Sequence, residues 1–354
     1  MDSAAASGRL DDAQAAALGT RAASSVLREC GGWRRMLRTA RAEGLLPLVG
    51  LAIRSGRFAP PAGAAVPAAP GRLQTLVPVV IQAGAESLAR SLDGEGIAHA
   101  FIKGIASAPR YGRLWLRPMS DVDVLVSPAD FARARALIAG LGYAECYEDE
   151  MEATFAPKAP DDFRVTVDLH RDVHYTGIHR TGVDDMLSRA RAARGGGGAV
   201  RTLAPEDEIL VLAAHAARSR MHMVGRSMCD VAVLTLTESV CWDTVVRRAR
   251  EWRLAVAVWA ALSCARRAFG APVPAEATGA LRPAPHHEAF VRLWLDLARV
   301  SPYRLGRRAL AWPSQHAAML VVWPALADGL LAGAWYVARF SVRTLARKLR
   351  ASGS

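Results

Sequence analysis

The run SDVDVLV, residues 120–126, constrains this chain more than any other stretch. Its valines and leucine read as a buried strand, yet two carboxylates interrupt it. Side chains alternate along a strand, so Asp121 and Asp123 share one face while Val122, Val124 and Val126 point into a core. The acids are expected on an exposed face, about 7 Å apart. Two ionised carboxylates at that spacing repel, and a divalent cation bound by one or two carboxylates plus substrate phosphates relieves the repulsion. The chain therefore needs a sheet with one covered apolar side and one side open to a charged ligand.

The flanking segments supply further parts. IAHAFI, 97–102, reads as a strand and ends at Lys103-Gly104, where glycine lets the backbone approach an anion and a following short helix directs N–H groups at phosphate. Arg117, in the RPMSD approach, is a second expected phosphate ligand, and the hydroxyls of Ser107 and Ser120 are expected to bind the nucleotide with it. FRVTVDLH, 163–170, alternates, with Asp168 on its polar face beside Thr166 and His170. If that strand neighbours the first, Asp121, Asp123 and Asp168 converge, enough to hold two Mg2+ ions for in-line displacement at phosphorus.

Around this centre the chain changes texture. Residues 9–57 show helical spacing, 59–71 is a Pro/Ala-rich loop, and a helix runs from about Leu73 to Leu92 before Asp93-Gly94-Glu95-Gly96. A helix over 128–139 follows the acids, then GYAECYE and EATFAP read as paired strands. GGGG at 195–198 is the best domain boundary, and everything beyond 205 reads as helix. The expected class is α+β: a small mixed-sheet core over 96–200, flanked by an N-terminal helical segment (1–95) and a larger helical domain (201–354).

The order of apolar strand, KG, short helix, RPMSD-x-D-x-LV and then VDLH resembles the DNA polymerase β-like nucleotidyltransferase superfamily. It is most similar to the bacterial uncharacterised nucleotidyltransferase family within it. PEDEILVLAAHAARSR, MCDVAVL and CWDTVVRRARE followed by AFGAPVP extend the resemblance to roughly residues 75–275. The resemblance implies Mg2+-dependent transfer of a nucleoside monophosphate from an NTP to an acceptor, with release of pyrophosphate. The acceptor would be a small molecule, peptide, protein or RNA. Asp121 and Asp123 would be metal ligands, Asp168 the third carboxylate and base, Gly104 part of the phosphate loop, and Lys103 and Arg117 substrate contacts. One departure stands out: Ile105 follows the loop glycine where the superfamily usually carries serine, with Ser107 offset.

Other readings share these motifs. A D-x-D glycosyltransferase would need alternating strands and helices for about a hundred residues before the motif, which residues 1–95 do not offer. A non-catalytic nucleotide-binding module on the same fold is the alternative. The net charge of +12 admits a polyanionic partner, but only three of the 45 basic residues are lysine, which points to a coding bias toward arginine and makes Lys103 conspicuous. His170 and His174 read as surface residues, His215 as a core histidine, and His286-His287-Glu288 as loop. Five scattered cysteines without a C-x-x-C pair, and a start lacking a basic segment followed by an apolar core, point to the cytoplasm. The apolar span 317–340, broken by Pro324 and Asp328 and followed by RFSVRTLARKLR, reads as a buried helix pair or as a peripheral attachment to a membrane or protein partner.

Overall fold

The structure, a computed structural model, describes residues 8–159, 164–173, 181–193, 200–219, 225–300 and 327–328, with residues 29 and 293–300 as backbone only. His174, GGGG 195–198 and most of the apolar span 317–340 with its basic tail lie outside the described residues.

The first helical region is three helices. α1 (Asp12–Cys30) begins at a capping box in which Asp11 and Gln14 exchange bonds of 2.8 and 2.9 Å, and stops at Gly31, whose φ of 66° suits glycine. α2 (Trp33–Ala42) and α3 (Leu46–Arg54) follow, parted by Gly44 at φ 70°. Residues 59–71 form neither helix nor strand, and α4 spans Arg72–Gly94.

Next come β1 (His99–Phe101), the short helix α5 (Gly104–Ser107), two 3-10 turns (Ala108–Tyr111 and Leu114–Leu116) and β2 (Asp121–Val126). α6 (Phe131–Gly140), β3 (Tyr143–Glu148), β4 (Glu152–Pro157) and β5 (Thr166–His170) complete the expected α/β stretch. α7 (Val183–Ser188) leads to β6 (Arg191–Ala192) and β7 (Arg201–Thr202). β6 and β7 pair antiparallel, so the chain stays in the sheet on both sides of the glycine run. The described chain beyond them is helical: α8 (Pro205–Arg218), α9 (Gly225–Thr237), α10 (Trp242–Glu251), α11 (Ala255–Phe269), α12 (Ala275–Ala280) and α13 (Pro285–Val300). His286, His287 and Glu288 thus stand in the first turn of α13 rather than in a loop, Glu288 being held by Arg282 and Arg292.

The seven strands form one mixed sheet in the order β3-β4-β5-β2-β1-β7-β6. β2 runs antiparallel to β1 and parallel to β5. One side of the sheet, carrying Val122, Val124, Val126, Phe155, Val167 and Leu169, packs on Ile81, Ala85, Leu88 and Leu92 of α4 and on Phe131 and Ile138 of α6. The other carries Ala100 and Leu125 into a second core built by α1, α2 and α3 together with α8, α9, α10 and α11. Residues 12–54 therefore share a core with the C-terminal helices, while α4 belongs to the sheet.

This second layer changes the setting of the acids. The face shared by Asp121 and Asp123 is not open: Asp123 is 4% exposed and Asp121 half-buried, because the C-terminal helices lie over it. Buried ion pairs fasten the layers. Arg110, in the first 3-10 turn, donates from both terminal nitrogens to Glu208 of α8 at 2.8 Å and from Nε to Glu238 at 3.4 Å. Asp328 accepts from the backbone N–H groups of Ala255 and Val256 at 3.0 and 2.8 Å, so the one acid of the apolar span caps α11. Among the described residues no helix is long and apolar enough to cross a membrane, and all five cysteines are free.

Removing Arg110 leaves Glu208 buried and unpaired. Arg110→Ala is expected to lower the unfolding free energy by about 3–5 kcal/mol, read from urea denaturation.

Candidate functional site

Parallel pairing of β2 with β5 sets Asp123 directly opposite Asp168 and Asp121 opposite Thr166. β4 extends the rows antiparallel, with Thr154 opposite Asp168 and Glu152 opposite His170. Residues abreast in a sheet point to the same face, so Asp121, Asp123, Thr154, Asp168, Glu152 and His170 form one polar patch. The expected convergence of three carboxylates depends on this register and is present in it.

Each carboxylate meets a different environment. Burial pushes the Asp121 carboxyl up, and the charges of Asp123 and Asp168 add to the rise. Burial likewise raises Asp168, against the lowering effect of the Thr154 hydroxyl. Asp123 goes the other way: burial opposes its charge, but the Lys103 ammonium and the bond from His170 hold it well below the usual carboxylate range. Lys103 Nζ is 2.6 Å from Asp123 Oδ1, and His170 Nε2 is 3.0 Å from the same oxygen. No cation among the described residues is bonded to Asp121 or Asp168.

Lys103 reaches Asp123 from an unusual backbone. Its φ of 53° and ψ of −115° fall where side-chain-bearing residues rarely sit, at a cost of about 1–3 kcal/mol. Two bonds fix this strand-to-helix elbow: Ile102 N–H to Asp123 O at 3.1 Å before it, and Ser107 N–H to Lys103 O at 2.9 Å across it. Gly104 follows in a tight space; a Cβ there would stand 3.0 Å from Arg117 Nη1 and 3.1 Å from Met119 Cγ.

The remaining expected ligands are placed differently from one another. Ser120 is exposed beside the acids. Ser107 is 2% exposed, turned inward with its hydroxyl unpartnered among the described residues. Arg117 is buried and spent on Asp230 of α9, donating from Nη2 to Oδ2 at 2.8 Å, while Tyr111 Oη donates to Oδ1 at 2.7 Å. It therefore clamps the RPMSD segment onto the helical layer and presents no open fork to phosphate.

Five further residues join the site. His170, expected at the surface, is buried because α8 covers the end of β5: its Nδ1 lies 3.0 Å from Glu152 Oε2, and Arg218 of α8 grips both Glu152 oxygens at 2.8 and 2.9 Å. His215, one turn before Arg218, lies close enough to Lys103, Arg218, Asp123 and His170 to feel their charges; burial and the two cations keep it well below the usual histidine range and hence neutral. Glu152 and Arg218 gave no local signal, since an acid opening a strand and an arginine closing a helix are ordinary features. Arg226 of α9, half-buried, donates to Pro118 O at 3.2 Å just ahead of the acids.

The donor set is hard oxygen from three acids that raise or oppose one another, which suits a divalent cation such as Mg2+. Among the described residues no three His, Cys, Asp or Glu side chains are arranged to hold a metal as they stand, Asp123 being turned to Lys103 and His170. Fold and site together are those of a mixed-sheet protein with a carboxylate cluster beside a strand-exit elbow. Comparison with known families agrees: residues 29–270, more than half of the chain, match the family described as uncharacterised nucleotidyltransferase, and the chain belongs to it. No curated protein matches the chain.

Glu152 provides a pH test of this network. Burial opposes its ionisation, but His170 and Arg218 hold it well below the usual range, so the folded chain binds fewer protons than the unfolded one in acid. Its contribution is complete above the ordinary glutamate value of about 4.3 and is lost as pH falls below it. Glu152→Gln is expected to cost about 1.5–3 kcal/mol near neutral pH, with the gap to wild type closing in denaturation series taken below about pH 4.

Proposed function

We propose that the protein transfers a nucleoside monophosphate from an NTP to a hydroxyl, amine or phosphate of an acceptor, releasing pyrophosphate. The carrying observation is the β2–β5 register, which sets Asp168 opposite Asp123 and puts three carboxylates on one face. Membership of a family named for nucleotidyl transfer supports the reading.

In this scheme Asp121 and Asp168, with Asp123, would hold Mg2+, which when bound neutralises charge on the triphosphate and on the leaving pyrophosphate. The chain's own groups do the rest. Lys103 fixes the charge of Asp123 and lies at the elbow where the triphosphate would pass. Asp168, raised by burial, takes the proton of the acceptor nucleophile. His170 and Glu152 keep Asp123 in one orientation. The helical layer excludes water from the inner end of the site.

Two of the three acids that act here do not stabilise the fold. Asp121 and Asp168 sit where ionisation is disfavoured, whereas Asp123 is held ionised. Asp121→Asn and Asp168→Asn are expected to cut transfer from labelled NTPs by about 100-fold or more while leaving the melting temperature unchanged or higher. Asp123→Asn is expected to lose both. Transfer surviving in the first two variants would sink the assignment.

A further inference from the structure

We infer that Lys103 takes the place of one of the two cations such a site would otherwise use, making it a site for one divalent cation and one lysine ammonium. The inference rests on the carboxylate site proposed above and adds how many cations it takes.

Position comes first. Lys103 Nζ is 2.6 Å from Asp123 Oδ1, and His170 Nε2 is 3.0 Å from the same atom. Oδ1 thus has two partners from the chain, and a cation seated there would have to expel the ammonium. The ammonium is well placed to stay. The Lys103 side chain is 15% exposed, so it is held inside rather than reaching back from solvent. Its backbone sits in a costly conformation that aims the side chain at the carboxylates, and such strain persists only where the surroundings enforce it.

Charge agrees with position. One ammonium and one divalent cation together cancel three carboxylates. A second divalent cation in addition to Lys103 would leave the partly buried site with excess positive charge before any phosphate arrives. Asp121 and Asp168, which have no cation bonded to them among the described residues, are the carboxylates left for the divalent ion. His170 adds a constraint: it is braced by Glu152, itself gripped by Arg218, so the Asp123 oxygen cannot turn freely from the lysine. The chain has three lysines among its 45 basic residues, and one of them stands at this carboxylate. A compact ammonium mimics a metal ion better than a planar guanidinium does.

The test is Mn2+ stoichiometry on the full-length protein with a non-hydrolysable NTP, read by electron paramagnetic resonance and equilibrium dialysis. The wild type is expected to hold a single, magnetically isolated Mn2+. Lys103→Met is expected to take up a second, giving the coupled spectrum of a pair roughly 3.5–4 Å apart, and Lys103→Gln should do the same. A coupled pair in the wild type overturns the inference without touching the carboxylate reading, and this arm needs no variant to fold. Variants that keep the wild-type fold by circular dichroism yet still bind a single ion overturn it as well. A wild type that binds no Mn2+ with nucleotide present overturns the inference and the carboxylate site together.

Discussion

The parallel pairing of β2 with β5 is the constraint on which the site depends. A shift by one residue would turn Asp168 to the apolar side of the sheet and carry Val167 or Leu169 into the polar patch. The valines that alternate with the acids prevent that slip. Val122, Val124, Val126, Val167 and Leu169 are all at or below 3% exposure between the sheet and the helices α4 and α6, and moving them would uncover that core. The apolar half of the motif thus holds the polar half in register.

The second constraint comes from the helical layer. Arg117 and Tyr111 meet Asp230, Arg110 meets Glu208, and Glu152 meets Arg218; in each case a group of the α/β part is neutralised by one from α8 or α9. Buried charges left without these partners would be strongly destabilising. The C-terminal helices are therefore part of the site's construction. Seen this way, the motifs PEDEILVLAAHAARSR and MCDVAVL acquire physical content: Glu208 and Asp230 receive the buried arginines, and Arg218 orients His170 through Glu152.

Much of this was legible in the sequence where signals are local. Strand alternation located β2 and β5, the proline and glycine runs marked 59–71 as loop, and Asp93 to Gly96 marked the end of α4. Resemblance supplied the family that the comparison over residues 29–270 shows. Signals that depend on distant partners were not legible. Arg117 next to two acids looks like a phosphate ligand until Asp230, far along the chain, is seen to take it. His170 looked like a surface residue because nothing local says that α8 crosses the end of β5, whereas His215 is the largely buried histidine its apolar helix face suggested and only its nearness to Lys103 and Asp123 was hidden. The helical reading of 9–57 holds as three helices, but their breaks at Gly31 and Gly44, whose positive φ values end α1 and precede α3, were not legible because mixed apolar spacing continues through both.

The central claim is that Asp121, Asp123 and Asp168 together form a cation site beside bound triphosphate. Crystals soaked with Mn2+ and a non-hydrolysable NTP test it most directly through the anomalous signal of manganese. The account predicts a peak in contact with Asp121 and Asp168, with the triphosphate on the Lys103 side. A bound nucleotide with no manganese at these carboxylates, or manganese held only elsewhere on the chain, would contradict it.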